Sequence, residues 1–151
     1  MKENQNKINT NLWSGGEYNN SLNGITCEQD NQKIIISEDW SAIGETSFKI
    51  TRGGGTRYNW CRFNYPNSPN KTTTATLKIY SPNATADIRF TEMKSAGESG
   101  YVSTRIYPSE QIQTISLTYT TSSDDTLGYF LRIDLNNDGT VLYVDDIQIN
   151  Q

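Results

Sequence analysis

"LYVDDIQI", residues 142–149, contains two runs of alternating apolar residues that are out of phase with each other. The first run starts at Leu142 and the second at Ile147. Side chains point to alternate faces of a strand, so both runs can face one core only if an extra residue lies between them. The stretch therefore predicts a strand with a β-bulge at Asp145 and Asp146, the alternative being a solvated edge strand.

The rest of the chain continues this strand pattern. Earlier runs of alternating or β-branched residues are separated by turn sequences such as "RGGG", "YPNSPN" and "SAGESG". The predicted strands span 33–37, 47–51, 57–64, 74–80, 86–92, 100–106, 112–120, 127–134 and 141–149. No long window carries the apolar stripe of an amphipathic helix. The predicted fold is all-β: a single-domain β-sandwich of the jelly-roll kind, with about nine short antiparallel strands.

Length and charge limit the classes of partner. The 151 residues fit one domain, which we expect to span 1–151 with a flexible start at 1–10. The net charge is −4 and the basic residues are scattered, so we expect no nucleic-acid partner. No stretch is long and apolar enough to span a bilayer, so we expect no membrane insertion. "MKENQNKINTN" lacks the apolar core of a signal peptide. The chain is then either cytosolic or a domain of a longer secreted protein.

The sequence contains no histidine and two cysteines, Cys27 and Cys61. Without histidine, serine–histidine and cysteine–histidine nucleophiles and the usual catalytic zinc sites are excluded. Sequence alone does not decide whether the two cysteines are buried thiols or a disulfide, so both remain open. We expect a binding protein and not an enzyme, although a glycosidase, which uses carboxylates, would need neither histidine nor cysteine.

Alternation also predicts which side chains share an outer face. In the strands at 57–64, 86–92 and 127–134, inward positions are apolar, and outward positions carry aromatic residues and arginine. The predicted ligand surface is Tyr58, Trp60, Arg62, Arg89, Tyr101 and Arg132, with Trp40 as a substitute if the other sheet carries the site. Aromatic rings can stack on sugars, and guanidinium groups can bind hydroxyls or uronate carboxylates. The alternative is that these rings only pack beneath a loop.

Three motifs occur in order along the chain: "NLWSGGEYN" (11–19), "SAIGETSFKIT" (41–51) and "LYVDDIQI". In this order and spacing they resemble β-sandwich carbohydrate-binding modules of the galactose-binding-like superfamily, especially those appended to xylanases. The resemblance implies non-catalytic binding of a polysaccharide or oligosaccharide. It also implies a domain of a larger secreted multidomain protein, extracellular or at the cell surface.

The same resemblance implies a structural calcium ion far from the sugar site. Its side-chain ligand would be Asp146, with backbone carbonyls from Glu17 and from the turn between Ser41 and Glu45. Asn19 stands where the family has a glutamate ligand, so this position would bring no charge. Oxygen ligands of this kind suit calcium. The bulge would then turn a carboxylate toward an ion that joins the first and last strands.

A competing calcium hypothesis lies in "DLNNDGTVLYVD", residues 134–145, which has the spacing of an EF-hand loop. An EF-hand needs flanking helices, whereas the residues on both sides are strand-like. Asn-Asn-Asp-Gly is also what a tight hairpin requires, because these residues tolerate positive φ. We therefore predict a plain hairpin in this segment.

Two other classes of function remain open beside carbohydrate binding. One is a protein–protein adhesin or fibre domain, in which the same aromatic residues form an interface. The other is a jelly-roll glycoside hydrolase or lyase, which needs a pair of carboxylates across a cleft. Its candidate carboxylates are Asp87, Glu92, Glu98 and Asp134. Strand patterns do not specify the sugar or its linkage.

Overall fold

The structure is a computed structural model that describes part of the chain. The described residues are Asn11, Trp13, Leu22, 24–27, 32–53, 60–67, 69–95, 97–122 and 126–151. No helix in these ranges is long and apolar enough to cross a membrane. Three residues of the predicted sites, Tyr58, Glu17 and Asn19, lie outside the described residues.

The described residues form ten strands, which pair antiparallel in two sheets. The strands are β1 (Ile25–Cys27), β2 (Gln32–Ser37), β3 (Ser47–Arg52), β4 (Trp60–Tyr65), β5 (Thr72–Tyr80), β6 (Ala86–Lys94), β7 (Gly97–Ile106), β8 (Gln113–Thr120), β9 (Thr126–Leu135) and β10 (Val141–Asn150). The front sheet has the order β1-β4-β9-β6-β7 and the back sheet β2-β3-β10-β5-β8. The predicted β-sandwich is confirmed, and β1 is the strand that the sequence pattern missed.

The connections follow the jelly-roll pattern. From β3 to β10 the chain passes to the other sheet at every step except between β6 and β7, which form a hairpin in the front sheet. Side chains from both sheets meet in one core. Within it, the ring of Trp13 lies edge-on to Phe48 and Phe63, with centroid distances of 6.3 and 5.4 Å. This packing leaves the opposite, outer faces of the sheets to polar and aromatic side chains.

The strand β10 contains the predicted bulge. Its register with β5 shifts between Asp145 and Gln148, and Asp146 has a φ of 51°. Aspartate tolerates this left-handed conformation better than most residues. Leu142 before the bulge and Ile147 after it are both fully buried. The extra residue therefore lets both halves of the strand face the same core.

An asparagine side chain takes over the hydrogen bonding of β10 beyond the bulge. The strand β3 pairs with β10 only over residues 141–144. Farther along, the amide of Asn11 donates to the carbonyl of Ile147 at 3.0 Å and accepts from the N–H of Ile149 at 2.9 Å. These two bonds imitate a neighbouring strand. They fasten the beginning of the described chain to its last strand.

Cys27 and Cys61 form a disulfide between β1 and β4. They are direct partners in the register of these two strands. In the described residues β1 spans three positions at the edge of the front sheet, and so short a ladder of hydrogen bonds holds the edge weakly. The disulfide adds a covalent connection across a sequence separation of 34 residues.

Removing the disulfide should destabilise the protein without changing its fold. For Cys27→Ala/Cys61→Ala we expect a loss of about 2 to 4 kcal/mol in the free energy of unfolding, because the unfolded chain regains the entropy of the open loop. Guanidinium denaturation of the oxidised wild type, the reduced wild type and the double variant measures this. Equal midpoints for all three would contradict it.

The predicted hairpin at residues 134–145 is wrong. β9 pairs with β4 and β6 in the front sheet, whereas β10 pairs with β3 and β5 in the back sheet, so this segment crosses between the sheets. Gly139 still adopts a positive φ of 72°, as its turn sequence predicted. Asp138, an EF-hand position in the sequence, pairs with Arg52 at 2.9 Å.

Glu92, on β6, joins the two sheets at one end of the sandwich. Its carboxylate accepts hydrogen bonds from the hydroxyls of Tyr119 at 2.8 Å and Thr126 at 2.7 Å, and from the N–H of Ser122 at 3.1 Å. Burial raises the pKa of Glu92, but these hydrogen bonds lower it further than burial raises it, and the net shift is downward. Burial and the neighbouring Glu92 raise the pKa of Tyr119 to about 12. The charged form of Glu92 therefore stabilises the fold.

Glu92→Gln should show a pH-dependent loss of stability. A carboxyl group with a lowered folded pKa stabilises the protein above its unfolded pKa, and that stability is lost as pH falls through the folded pKa. We expect a loss of about 1 to 3 kcal/mol at pH 7 that shrinks below about pH 4.5. Urea denaturation at several pH values measures it. The control is Asp87→Asn, in a surface pair with Arg105, where we expect under about 1 kcal/mol; similar losses for both variants would count against this role.

Candidate functional site

Three arginines form a row across the outer face of the front sheet. Arg132 on β9 lies directly opposite Arg62 on β4 and, on its other side, directly opposite Arg89 on β6. Antiparallel partners in register project their side chains to the same face. The structure therefore brings together the three arginines that strand alternation assigned to one outer face.

The carboxylate of Glu98 contacts all three guanidinium groups. Glu98 on β7 is 3.4 Å from Nη1 of Arg89 and 3.6 Å from Nη2 of Arg62, and it is hydrogen-bonded to Nη1 of Arg132. Its side chain is 15% exposed. Glu98 thus offsets part of the mutual repulsion of the arginines and holds the row together.

Arg132 is the most enclosed of the three arginines, with 11% of its side chain exposed. Its Nε and Nη2 atoms each donate to one oxygen of Asp134 at 2.7 Å. Burial lowers the pKa of Arg132, but Asp134 and Glu98 raise it more strongly, so the net shift is upward. Such a bidentate pair fixes the plane of the guanidinium group. Arg132 therefore acts as the rigid centre of the row.

Aromatic rings support the other two arginines. The guanidinium carbon of Arg62 lies 4.0 Å from the ring centroid of Trp60 and 4.5 Å from that of Phe130. That of Arg89 lies 4.2 Å from the ring of Tyr101. These are cation–π distances. Phe130 points outward from the sheet but is only 2% exposed, whereas Tyr101 is 54% exposed. We call this surface the arginine face; it consists of Trp60, Arg62, Arg89, Glu98, Tyr101, Phe130 and Arg132.

The substitute candidate Trp40 belongs to a separate cluster. Its ring lies 5.7 Å from that of Tyr80 and 6.1 Å from that of Tyr143, on the back sheet. Tyr80 and Tyr143 are neighbours in the register of β5 and β10 and stack on each other. Trp40 is therefore remote from the arginine face and packs on its own aromatic pair.

Glu98 is the member of the arginine face whose position the sequence did not reveal. Its segment, "SAGESG", predicted a turn, but β7 already begins at Gly97. The register between β6 and β7 also shifts between Thr91 and Glu92. Counting alternate residues back from Tyr101 therefore does not predict where the Glu98 side chain points. Gly97 and Gly100, both with positive φ, are the sequence signal for this irregular start.

Asp146, the predicted side-chain ligand of calcium, contacts other side chains in this structure. The Asp146 carboxylate accepts from Gln148 at 3.0 Å and pairs with Lys78 at 3.3 Å. It is Asp145, fully buried, that reaches the turn after β2, where its Oδ2 accepts the N–H groups of Ala42 at 2.6 Å and Ile43 at 2.8 Å. N–H donors at a carboxylate occupy the side that a cation would need.

The turn between Ser41 and Glu45, whose backbone carbonyls are the other predicted ligands in the described residues, is held by a hydrogen bond of its own. The Ser41 hydroxyl donates to the carbonyl of Gly44 at 2.9 Å, and Glu45 is exposed. Across the described ranges, no group of three or more acidic or cysteine side chains is arranged to hold a metal. Since Glu17 and Asn19 lie outside the described residues, calcium binding stays a prediction.

Asp145 should matter more for stability than Asp146. We expect Asp145→Asn to cost about 1 to 3 kcal/mol, because an amide cannot accept all the N–H groups that the buried carboxylate accepts. Asp146→Asn keeps the left-handed backbone and should cost under about 1 kcal/mol. Thermal melting of both variants, with calcium and with chelator, measures this. A melting temperature of the wild type that falls in chelator, and no longer does so in Asp146→Asn, would instead favour the calcium prediction.

Comparison with known proteins identifies the fold. No protein-family profile and no curated protein matches the sequence. A C-terminal family 22 carbohydrate-binding module of Clostridium thermocellum superposes with a TM-score of 0.68 at 12% identity, covering 95% of this chain and 94% of the module. An N-terminal endo-1,4-beta-D-xylanase of C. thermocellum, with its family 22 and GH10 modules in complex with xylohexaose, superposes with a TM-score of 0.68 at 9% identity. The match covers 97% of this chain and 29% of the xylanase chain.

An enzyme also contains this fold. The enzymatically active domain of bacteriophage CBA120 tailspike protein 4 gives a TM-score of 0.71 at 10% identity. The match covers 93% of this chain and 21% of the tailspike chain, so this chain spans a small part of that protein. The chain spans nearly the full length of the isolated family 22 module. The protein therefore has the β-sandwich fold of carbohydrate-binding modules, as its sequence resemblance predicted.

Proposed function

We propose that this protein is a non-catalytic carbohydrate-binding domain and that the arginine face is its ligand surface. The observation that carries the proposal is the row of Arg62, Arg132 and Arg89, supported by aromatic rings on the outer face of a sheet. A sugar presents an apolar ring face and a rim of hydroxyls, and this surface offers a partner for each. The fold shared with the modules described above supports the same function.

The degree of exposure assigns different roles to the members of the face. Tyr101 is half exposed and packs on Arg89, so its free surface is available to stack on a sugar ring. The side chains of Arg89 and Arg62 are 29% and 20% exposed and can donate to ligand oxygens. Trp60 lies beneath Arg62 and holds it in place. Arg132 is the least exposed of the three arginines and, held by Asp134, fixes the position of the row.

The carboxylates of the sandwich support binding over hydrolysis. A glycosidase needs a general acid with a raised pKa. The hydrogen bond from Arg105 lowers the pKa of Asp87, and the pKa of Glu92 is lowered as described above. Glu98 and Asp134 are both engaged by Arg132. The four candidate carboxylates are therefore held as acceptors for fixed partners.

The chain is proposed to be one domain of a larger extracellular or cell-surface protein. One of the proteins with this fold is a xylanase in which a family 22 carbohydrate-binding module is joined to a GH10 module. The disulfide between Cys27 and Cys61 suits an oxidising compartment. In such a protein the arginine face would hold an attached enzyme or surface domain on its polysaccharide.

Affinity gel electrophoresis against a panel of soluble polysaccharides tests the proposal. We expect retardation by at least one polymer class. Tyr101→Ala and Trp60→Ala should each weaken binding by about 1 to 3 kcal/mol, because stacking area and support for the arginines are lost. The matched control is Tyr107→Ala, since Tyr107 is also exposed, at 62%, but follows the end of β7.

Three results would contradict the proposal. Free migration in every gel would favour the adhesin alternative, to be followed by sedimentation analysis with and without Trp60→Ala. Sustained release of reducing ends from any polymer would show an enzyme. An equal loss of affinity in the Tyr101 and Tyr107 variants would place the ligand elsewhere.

A further inference from the structure

We infer that the arginine face selects glycans that carry an anionic group, either a uronate carboxylate or a sulfate ester. The inference rests on the proposed function and names the ligand class of that same surface. The feature that carries it is the concentration of arginine in a chain that is acidic as a whole. The net charge is −4, yet four of the six arginines lie on the outer face of the front sheet.

The carboxylates that the structure describes on this face are shared unequally among the four arginines. Arg105, the fourth arginine, is neutralised by Asp87 through contacts of 2.7 and 3.1 Å. Among the residues that the structure describes, the three arginines of the row contact two carboxylates, Glu98 and Asp134. Asp134 is bound at both oxygens by Arg132. Glu98, in contrast, is shared by Arg62, Arg89 and Arg132.

The contacts of Glu98 with Arg89 and Arg62 are longer than ordinary charge-assisted hydrogen bonds. Charge-assisted hydrogen bonds between N–H groups and carboxylates are about 2.7 to 2.9 Å long. Glu98 is 3.4 Å from Arg89 and 3.6 Å from Arg62. Both arginines are also partly exposed and held by aromatic rings. A ligand carboxylate or sulfate that approaches from solvent can therefore form shorter bonds with Arg89 than Glu98 does.

The choice of arginine fits an anion better than it fits hydroxyls. The guanidinium fork matches the two oxygens of a carboxylate or sulfate, whereas a hydroxyl uses one donor at a time. Sugar hydroxyls are commonly bound by amide and hydroxyl side chains as well, which need no charge to be offset. The overall negative charge repels a polyanion at a distance, but beyond about 8 Å this repulsion is screened at physiological salt. Binding of the polyanion would then depend on the three arginines of the row and not on the net charge of the chain.

Two pairs of polymers test the inference with the unmodified protein. Polygalacturonate is compared with its methyl ester, and dextran sulfate with dextran, by isothermal titration calorimetry. We expect at least one anionic polymer to bind about 10-fold or more tightly than its neutral partner, and its affinity to fall between about 50 and about 500 mM NaCl. Which anionic polymer binds distinguishes uronate from sulfate. Equal affinity within both pairs, or binding only to neutral glycans, would overturn the inference but leave the proposed function standing; no binding to any glycan would overturn both.

A matched pair of variants locates the effect. Arg89→Gln and Arg105→Gln remove the same charge from the same sheet, but only Arg89 belongs to the row. We expect Arg89→Gln to weaken binding of the anionic polymer about 10-fold and to reduce its salt dependence, and Arg105→Gln to change affinity by less than about 3-fold. Equal losses would overturn the assignment to the row. Circular dichroism checks folding; if Arg89→Gln is unfolded, Arg89→Lys, which keeps the charge but not the fork, should also bind more weakly than Arg105→Gln, and unchanged affinity there would overturn the assignment.

Discussion

The pairing of β9 with β4 on one side and β6 on the other determines where the charged groups of the front sheet lie. Inward residues such as Cys61, Ile88 and Ile133 are fully buried in these strands. A slip of one residue would carry them to the solvent face and bring the arginines into the core. The cost of that exchange locks the register. Arg62, Arg132 and Arg89 are therefore held in line by apolar contacts on the opposite side of the sheet.

Side-chain amides complete the sandwich where strand pairing ends. Asn11 binds β10 beyond its bulge, as described above. The buried amide of Gln32, on β2 in the back sheet, donates to the carbonyl of Ile133 at 2.8 Å and accepts from the N–H of Leu135 at 3.0 Å, both on β9. Buried backbone groups must find partners, and here an amide of matching shape provides them. The central strand of the arginine face is thereby tied to the opposite sheet.

Periodicity predicted the parts of the structure that depend on burial. The strands β2 to β10, the bulge in β10 and the common outer face of Arg62, Arg89 and Arg132 all follow from which residues avoid water. The sequence could not predict β1, which is short and held by a disulfide, or the crossing between β9 and β10, because Asn-Asn-Asp-Gly turns the chain equally well within one sheet or between two. Glu98 was missed because a register shift breaks the alternation that precedes it. The sequence predicted that Asp146 turns toward the loop after β2, whereas Asp145 does so. The reason is similar, since the geometry of the bulge decides which of two adjacent carboxylates points toward that loop.

The bond between Cys27 and Cys61 has a consequence for how the front sheet recovers from partial opening. The strand β1 lies at the edge of the front sheet, so it can separate from its neighbour at a lower cost than a central strand can. With the disulfide intact, the released strand stays within reach of β4, and its return is an intramolecular step at high effective concentration. The strand β1 can therefore open and close again beside β4, while the hydrogen bonds between β4 and β9 stay intact.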